Sequence, residues 1–351
     1  MALNTLRMLD ELSASGLISP DRSTLLRPVA ESYAIGITQA MAELINRNDP
    51  VDPIALQFIP DPRELHVTPE ESADPIGDHA HEPVPGLIHR YPDRALLKLV
   101  HVCPVYCRFC FRREMVGPGK ADMMSEAELD AAFQYLAAHP EIFEVIMTGG
   151  DPLVLSARRI DDIAARLEAI DHINLVRWHT RVPVVDPERV TDELAAALAP
   201  IGTSAWLAIH ANHPRELTDA ARKALRRLAD AGISLVSQSV LLRGVNDDAE
   251  TLANLMRAFL AAGVKPYYLH QGDLAPGTSH WRVPIEEGLA LVSSLRGRLS
   301  GLAQPHYVID IPGGHGKVPV LSAEKLADGR YIFTDWQGGR HVYPPEQVAK
   351  A

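Results

Sequence analysis

The stretch "RALLKLVHVCPVYCRFCFRR", residues 94–113, joins an apolar run to a loop that contains every cysteine of the chain. The run 94–102 has the length and composition of a buried strand. Cys103, Cys107 and Cys110 follow it directly, with the spacing Cys-x3-Cys-x2-Cys. Three thiols cannot form a closed set of disulfides, so their clustering indicates metal binding or catalysis.

The same alternation of strand and helix continues beyond the cysteines. Apolar runs that suit buried strands follow at 143–150, 174–180, 204–211, 234–242 and 265–271. Helix-like segments lie between and after them, at 125–139, 156–170, 191–200, 218–232, 248–263 and 285–299. This order predicts an α/β fold whose parallel sheet has right-handed crossovers. Six strand–helix units fall short of a complete eightfold barrel, which leaves a partial (β/α)6 barrel or an open sheet.

The regions on either side of this core have different patterns. Residues 1–88 begin with helix-like apolar spacing and continue with a stretch rich in Pro and Asp, which predicts a helical extension and an ordered wrapping segment. Residues 306–351 contain "HYVIDIPGGHGK" and then a strand-like tail. We therefore expect three parts: an N-terminal segment (1–88), a β/α core (89–305) and a short C-terminal β segment (306–351).

Composition restricts the class of function. The formal charge of −11 argues against a general nucleic-acid partner, because a phosphate backbone requires a basic surface. No run approaches the ~20 apolar residues of a membrane-spanning helix. The first 20 residues contain acidic residues, Asp10 and Glu11, where a signal peptide would have its apolar run. We expect a cytoplasmic protein with a small-molecule substrate and no membrane partner.

The cysteine loop admits three interpretations. Three buried apolar thiols would not be expected to cluster so closely, and a structural zinc site would need a fourth ligand such as His101. The remaining interpretation is a [4Fe-4S] cluster held by three thiolates, with one iron open to a cofactor. This spacing resembles the radical S-adenosylmethionine (SAM) superfamily, whose cofactor occupies that iron. "MTGGDP", residues 147–152, is compatible with an ordinary turn, and it also resembles the superfamily's SAM-binding segment.

The glycine-rich stretch "DIPGGHGKVPV", residues 310–320, contains Lys317. It is not a Walker A loop, since Ile311 stands where the first glycine belongs and Val318 replaces the Ser or Thr. A solvated lysine in a turn is one interpretation. The other is a lysine that forms a Schiff base with pyridoxal phosphate (PLP).

Seven stretches in sequence order together resemble the lysine 2,3-aminomutase family, over roughly residues 50–345. They are "PGLIHRYPDRALL", "CPVYCRFCFRR", "TGGDPL", "NHPRELT", "QSVLLRGVND", "KPYYLHQGDL" and "DIPGGHGK". The resemblance implies a radical SAM barrel. It also implies a PLP-dependent isomerase that interconverts L-lysine and β-lysine through a 5′-deoxyadenosyl radical and a 1,2-amino migration.

By this resemblance each motif residue has an expected role. The cluster ligands are Cys103, Cys107 and Cys110; the SAM contacts are Gly149, Gly150, His210 and Gln238; the PLP contacts are Lys317, which is also catalytic, and Arg90, Tyr91 and Arg94; the substrate contacts are Arg112, Asp273 and Asp310. Arg112 would bind the substrate carboxylate, and the two aspartates its distal ammonium. Two neighbouring carboxylates favour a cationic side chain and disfavour glutamate as substrate.

Several alternatives remain open at this stage. The family's short branch makes (R)-β-lysine for elongation factor P, and an aminomutase for another cationic amino acid such as arginine would have a similar site. A noncatalytic iron–sulfur or zinc protein is the alternative from a different class. We further expect an electron donor such as flavodoxin or ferredoxin, and a homo-oligomer, a dimer. The family's zinc site uses a cysteine where this sequence has Asp248, and further cysteines in a C-terminal tail that this sequence does not show, so we expect no zinc and no family tetramer. His315 also replaces a glycine of the family in the loop that contains Lys317.

Overall fold

The computed structural model describes residues 5–117, 122–199 and 202–345. The strands are β1 (Thr5–Leu6), β2 (Ile37–Thr38), β3 (Leu87–Tyr91), β4 (Arg94–Val100), β5 (Glu144–Gly149), β6 (Leu175–Thr180), β7 (Ser204–His210), β8 (Ser234–Val240), β9 (Lys265–His270), β10 (His306–Ile311), β11 (Gly316–Pro319), β12 (Glu324–Lys325), β13 (Tyr331–Thr334) and β14 (Arg340–Tyr343). The helices are α1 (Leu9–Ala14), α2 (Pro20–Ser32), α3 (Gln39–Leu44), α4 (Ala55–Phe58), α5 (Glu126–Ala138), α6 (Ala157–Glu168), α7 (Val182–Val185), α8 (Asp192–Leu198), α9 (Asp219–Asp230), α10 (Ala249–Ala261) and α11 (Ile285–Leu295).

One nine-stranded sheet organises the molecule, in the order β11-β10-β9-β8-β7-β6-β5-β4-β3. The strands from β4 to β10 are parallel to their neighbours, while β3 and β11 pair antiparallel at the two edges. The edges approach each other, because the Lys317 amide on β11 donates to Tyr91 Oη on β3 at 2.6 Å. The sheet is therefore a nearly closed partial barrel, which confirms the predicted fold class.

All six predicted strands are present as β4 to β9, and each is followed by a predicted helix. Their apolar side chains are buried on both faces, as in β7, where Leu207 and Ile209 are fully buried and Ala208 nearly so. Residues 306–311, which sequence analysis grouped with the C-terminal segment, form β10. This strand hydrogen-bonds in parallel to β9 and adds a seventh parallel strand.

Side-chain caps fix where the crossover helices begin. Ser125, Ser156, Thr191 and Thr218 each accept a hydrogen bond from the backbone N–H three residues ahead, at the starts of α5, α6, α8 and α9. Asp248, which stands at the family's cysteine position, caps α10 by accepting from Glu250 N and Thr251 N at 3.0 and 2.9 Å. An aspartate at this position therefore stabilises the first turn of α10.

Other segments lie outside the barrel. Residues 48–86 run as turns with the short helix α4 and two 3-10 helices. Near the C-terminus β12, β13 and β14 form a separate antiparallel sheet. No helix within the described ranges is long and apolar enough to span a bilayer.

Candidate active site

The cysteine loop leaves β4 and is held by buried arginines. Arg108 makes a bidentate ion pair with Glu64, whose side chain is fully buried, through Nε at 3.0 Å and Nη2 at 2.6 Å. Arg113 Nη2 also contacts Glu64. Tyr106 N donates to the carbonyl of Gly36 at 2.9 Å. The N-terminal segment therefore fixes the loop, since a buried carboxylate with two cations is stable only in one arrangement.

A second buried network contacts one thiol directly. Arg181, just after β6, donates from Nη1 to Cys107 Sγ at 2.8 Å and from Nη2 to Glu216 Oε2 at 2.6 Å. Gln57 joins the same guanidinium through Oε1 at 2.6 Å. Glu216 is fully buried, and Asn212 N donates to it at 2.9 Å. The sulfur of Cys107 thus has a fixed hydrogen-bond donor.

The three cysteines are free and half-buried. Desolvation, together with the neighbouring Cys107, raises the pKa of Cys110 to about 11, and desolvation also raises the pKa values of Cys103 and Cys107. The charge of Cys107 disfavours ionisation of both Cys103 and Cys110, the two other thiols of the loop. Positive charge at their centre would relieve this repulsion, which is what a bound metal cluster provides.

Gly149 and Gly150 lie against the backbone that leads into the cysteine loop. Gly149 has φ +120°, and a β-carbon there would overlap the carbonyl oxygen of Val100. A β-carbon at Gly150 would overlap that of Val102, and Gly150 N donates to Val100 O at 2.5 Å. Only glycine permits this close approach, so the turn after β5 is fixed beside the three thiols.

His210 ends β7, and Gln238 lies beside it on the neighbouring strand β8. His210 Nε2 is buried and has no hydrogen-bond partner among the described residues. Its ring packs 5.9 Å from that of Phe109 in the cysteine loop. Burial, followed by the charge of Arg181, lowers its pKa well below the usual range, so the ring is neutral. Gln238 Nε2 lies 3.4 Å from His179 Nε2. Both polar groups lie toward the carboxyl ends of their strands, on the side of the barrel that carries the cysteine loop.

Lys317 begins the return strand β11 opposite Asp310. Its Nζ contacts Asp310 Oδ2 and lies 3.2 Å from His270 Nδ1. The ammonium also lies 5.5 Å from the centroid of the Tyr268 ring. Burial and the charge of Lys317 lower the pKa of His270 to about 4, so this ring is neutral at pH 7. The lysine is thus held by a carboxylate and an imidazole at the carboxyl ends of β9 and β10.

Asp273 and Asp310 share one electrostatic environment. Burial, and next the charge of Asp310, raises the pKa of Asp273 to about 7. Burial opposes ionisation of Asp310 too, but Lys317 and His270 outweigh it and hold its pKa below the usual range. One carboxylate is therefore ionised and the other titrates near neutral pH. This arrangement favours an additional cation.

Arg112 and Arg90 share a buried carboxylate that sequence analysis did not identify. Asp78, 2% exposed, accepts from Arg112 Nη2 at 3.0 Å and from Arg90 Nη2 at 2.9 Å. Arg112 Nη1 also donates to Thr148 Oγ1 at 3.1 Å. The Nε atoms of both arginines are buried without a partner in the part of the chain that the structure describes. Two cations with spare donors around one carboxylate suit anionic ligand groups.

Tyr91 and Arg94, the other two expected PLP contacts, differ in position. Tyr91 Oη accepts from the Lys317 amide at 2.6 Å and so lies beside the lysine. The Arg94 guanidinium stacks on the Tyr91 ring at 3.8 Å and pairs with Asp93 at 2.6 Å. It therefore reaches Lys317 only through the tyrosine.

Several residues of this region lay outside the sequence prediction. Asp78 and Glu64 come from the wrapping segment and meet their arginines only because the chain folds back, so no local signal identifies them. His270 ends β9 and Arg181 directly follows β6, and this position at the carboxyl end of a strand is the one signal for them in the sequence. Their partners depend on the tertiary structure.

The barrel and the cysteine loop define a class of enzyme. The Radical SAM superfamily profile matches residues 97–256, which include β4 to β8 and all three cysteines. The protein is a radical SAM enzyme. A radical SAM methyltransferase from Sphaerobacter thermophilus has a TM-score of 0.44 at 18% identity, and the match covers 64% of this chain and 68% of that one.

The particular family follows from the relatives. An L-lysine 2,3-aminomutase from Fusobacterium nucleatum is 39% identical over 340 residues, which covers 95% of this chain and 79% of the relative. That of Clostridium subterminale is 39% identical, with 91% and 76% covered. A glutamate 2,3-aminomutase from Clostridioides difficile is 33% identical, with 95% and 79% covered. The chain belongs to the lysine 2,3-aminomutase family.

Proposed function

We propose that this protein converts L-lysine to β-lysine with a [4Fe-4S] cluster, SAM and PLP. The observation that carries the proposal is the arrangement of Lys317, Asp310 and Asp273. A lysine that can hold PLP lies at the ends of the parallel strands, beside two acidic groups that favour a further ammonium.

The residues fit these three cofactors. The half-buried thiols of Cys103, Cys107 and Cys110 would hold the cluster, and Gly149, Gly150, His210 and Gln238 would contact SAM. Lys317 would hold PLP, with Tyr91 beside it. The bound cofactors supply a carbon-centred radical for removing hydrogen from an unactivated carbon, and a conjugated ring that assists movement of the amino group. The protein positions the substrate between them and excludes water.

The carboxylates support lysine rather than glutamate as substrate. Lys317 neutralises Asp310, and Asp273 gains a negative charge of its own as pH rises through about 7, so a second ammonium would be stabilised beside this pair. The distal ammonium of L-lysine can take that place, between Asp310 and Asp273. The distal carboxylate of glutamate would meet like charge there, and desolvating it without a partner costs several kcal/mol. A site built around such buried pairing discriminates strongly between the two substrates.

Arg112 has the properties that the substrate carboxylate requires. Arg112 is 7% exposed, its Nε has no partner among the described residues, and its planar guanidinium can bind a carboxylate through two parallel hydrogen bonds. Asp78 holds it in place through Nη2. Arg90 and Arg112 share the single carboxylate of Asp78, so the three side chains together keep a net positive charge. Arg90 would face the phosphate of PLP.

The remaining parts of the proposal concern location and partners. Free thiols and an oxygen-sensitive cluster suit the reducing cytoplasm. The cluster needs one electron from a donor such as flavodoxin or ferredoxin. We further propose a homodimer.

Anaerobic turnover tests this function. Reconstituted protein is incubated with SAM, PLP, a reductant and labelled L-lysine, L-arginine or L-glutamate in separate reactions. We expect β-lysine from lysine only. A β-amino acid formed from arginine or glutamate, with none from lysine, would contradict the substrate assignment. Iron content and SAM cleavage measured on the same samples distinguish a wrong substrate from an unloaded enzyme.

A further inference from the structure

Two histidines and an aspartate converge where the β10–β11 turn meets the β13–β14 hairpin. His315, Asp335 and His341 each place a possible metal-binding atom within 4.8 Å of those of the other two. His341 Nε2 lies 2.8 Å from Asp335 Oδ2, and the rings of His341 and His315 stack with centroids 3.7 Å apart. The three residues come from two hairpins that are separate in sequence, the β10–β11 turn and the β13–β14 hairpin.

The backbone around this triad is arranged to aim its carboxylate. Asp335 Oδ1 accepts from Gln337 N at 2.9 Å and from Gly339 N at 2.8 Å, which leaves Oδ2 directed at His341. A β-carbon at Gly339 would lie 2.6 Å from Asp335 Oδ2 and 3.0 Å from His341 Nε2. Gly339 thus keeps the space beside both ligand atoms clear. The aspartate side chain is 8% exposed, so its orientation is fixed rather than solvated.

The donor set selects among metals. Two imidazole nitrogens and one carboxylate suit a first-row transition ion, whereas Mg²⁺ and Ca²⁺ prefer ligand sets made of oxygen. Tetrahedral Zn²⁺ with bonds of about 2.0–2.2 Å places its ligand atoms about 3.3 Å apart. The three donor atoms now lie within 4.8 Å of one another, and the stacked rings of His315 and His341 would have to turn so that both nitrogens point at the ion. A fourth position would remain for water.

We propose that His315, Asp335 and His341 bind Zn²⁺. This site is distinct from the cysteine-containing zinc site expected to be absent, and it does not depend on the aminomutase activity. Its effect follows from its ligands. His315 lies two residues before Lys317, in the β10–β11 turn. The ion would therefore link this turn to the β13–β14 hairpin and restrict the motion of the turn and of the hairpin.

The experiment measures zinc binding to the full-length, cluster-loaded protein under anaerobic conditions. Equilibrium dialysis against buffered free Zn²⁺ gives affinity and stoichiometry. Amide hydrogen exchange of residues 331–343, with and without zinc, reports the hairpin. Three variants test the site: H315Q, H341Q and G339A, the last of which keeps all three ligands and fills the space between two of them. The controls are H66Q, at an exposed histidine, and G301A, where an added β-carbon meets nothing within 4 Å.

We expect one Zn²⁺ per chain at micromolar free zinc, and slower exchange in the hairpin when it binds. Each test variant should weaken binding by at least about 10–100-fold, the loss that even an outer-shell change causes at metal sites. The controls should match the wild type. The proposal is wrong if H341Q and H315Q bind zinc as the wild type does, because that zinc would be bound by other residues. It is also wrong if the wild type binds none at micromolar free zinc. Neither result bears on turnover of lysine.

Discussion

The charge of Asp310 offers a direct test of the proposed lysine site. Asp310 Oδ2 contacts Lys317 Nζ and lies 3.8 Å from His270 Nδ1, and its side chain is 11% exposed, so water screens it little. A hydrogen bond to a charged group in such a place contributes about 1.5–3 kcal/mol. That range corresponds to a factor of about 10 to 150 in a rate or binding constant. Asp310→Asn keeps the shape and removes the charge, so kcat/KM for L-lysine should fall by about this factor.

The assay is anaerobic conversion of labelled L-lysine, with iron and PLP content measured on the same preparation. Asp192→Asn is the matched control, because Asp192 is 90% exposed and pairs only at the surface with Arg227. The loss should appear in kcat/KM while iron content stays at the wild-type level. An unchanged kcat/KM would refute the charge argument. A collapse of iron content would show instead that Asp310 supports the fold of the cluster site.

Four further outcomes follow from the same geometry. Lys317→Ala should abolish the PLP-dependent absorption band and leave iron content unchanged; a retained band would contradict the assignment. Burial and a neighbouring carboxylate raise the pKa of Asp273 to about 7, so its negative charge develops as pH rises through that value. The kcat/KM for cationic lysine should therefore rise through about pH 7, and a profile that Asp273→Asn leaves unaltered would exclude this role. Gly150→Ala should destabilise the fold by about 3 kcal/mol or more in urea unfolding and reduce iron loading, because the added methyl group overlaps the Val102 carbonyl. Arg181→Gln should lower the reduction potential of the cluster, since it removes a hydrogen bond to a ligand sulfur. It should also cost about 3–5 kcal/mol of stability, because a buried glutamate loses its cation. An unchanged potential would mean that the contact to Cys107 is not made in the loaded enzyme.

The loop between β10 and β11 illustrates the limit of sequence prediction at this site. The glycines and Lys317 were visible as a motif, and the resemblance supplied a role for the lysine. That Asp310 and Lys317 face each other follows only from the antiparallel register of β10 and β11. His315 was noted as a departure from the family, yet its proximity to Asp335 and His341 depends on how the C-terminal sheet packs.

The sequence by itself determined the alternating order of strands and helices, the spacing of the three thiols and the residue types along the carboxyl ends of the strands. These features are local, because hydrophobic periodicity and capping act over a few residues. Only the tertiary structure decided that Asp78 and Glu64 meet arginines more than 30 residues away, and that Arg181 reaches Cys107. A buried charge is stable only with a partner of opposite charge or with hydrogen bonds. The partner comes from whichever segment lies nearby once the barrel has closed. No local sequence pattern therefore identifies it.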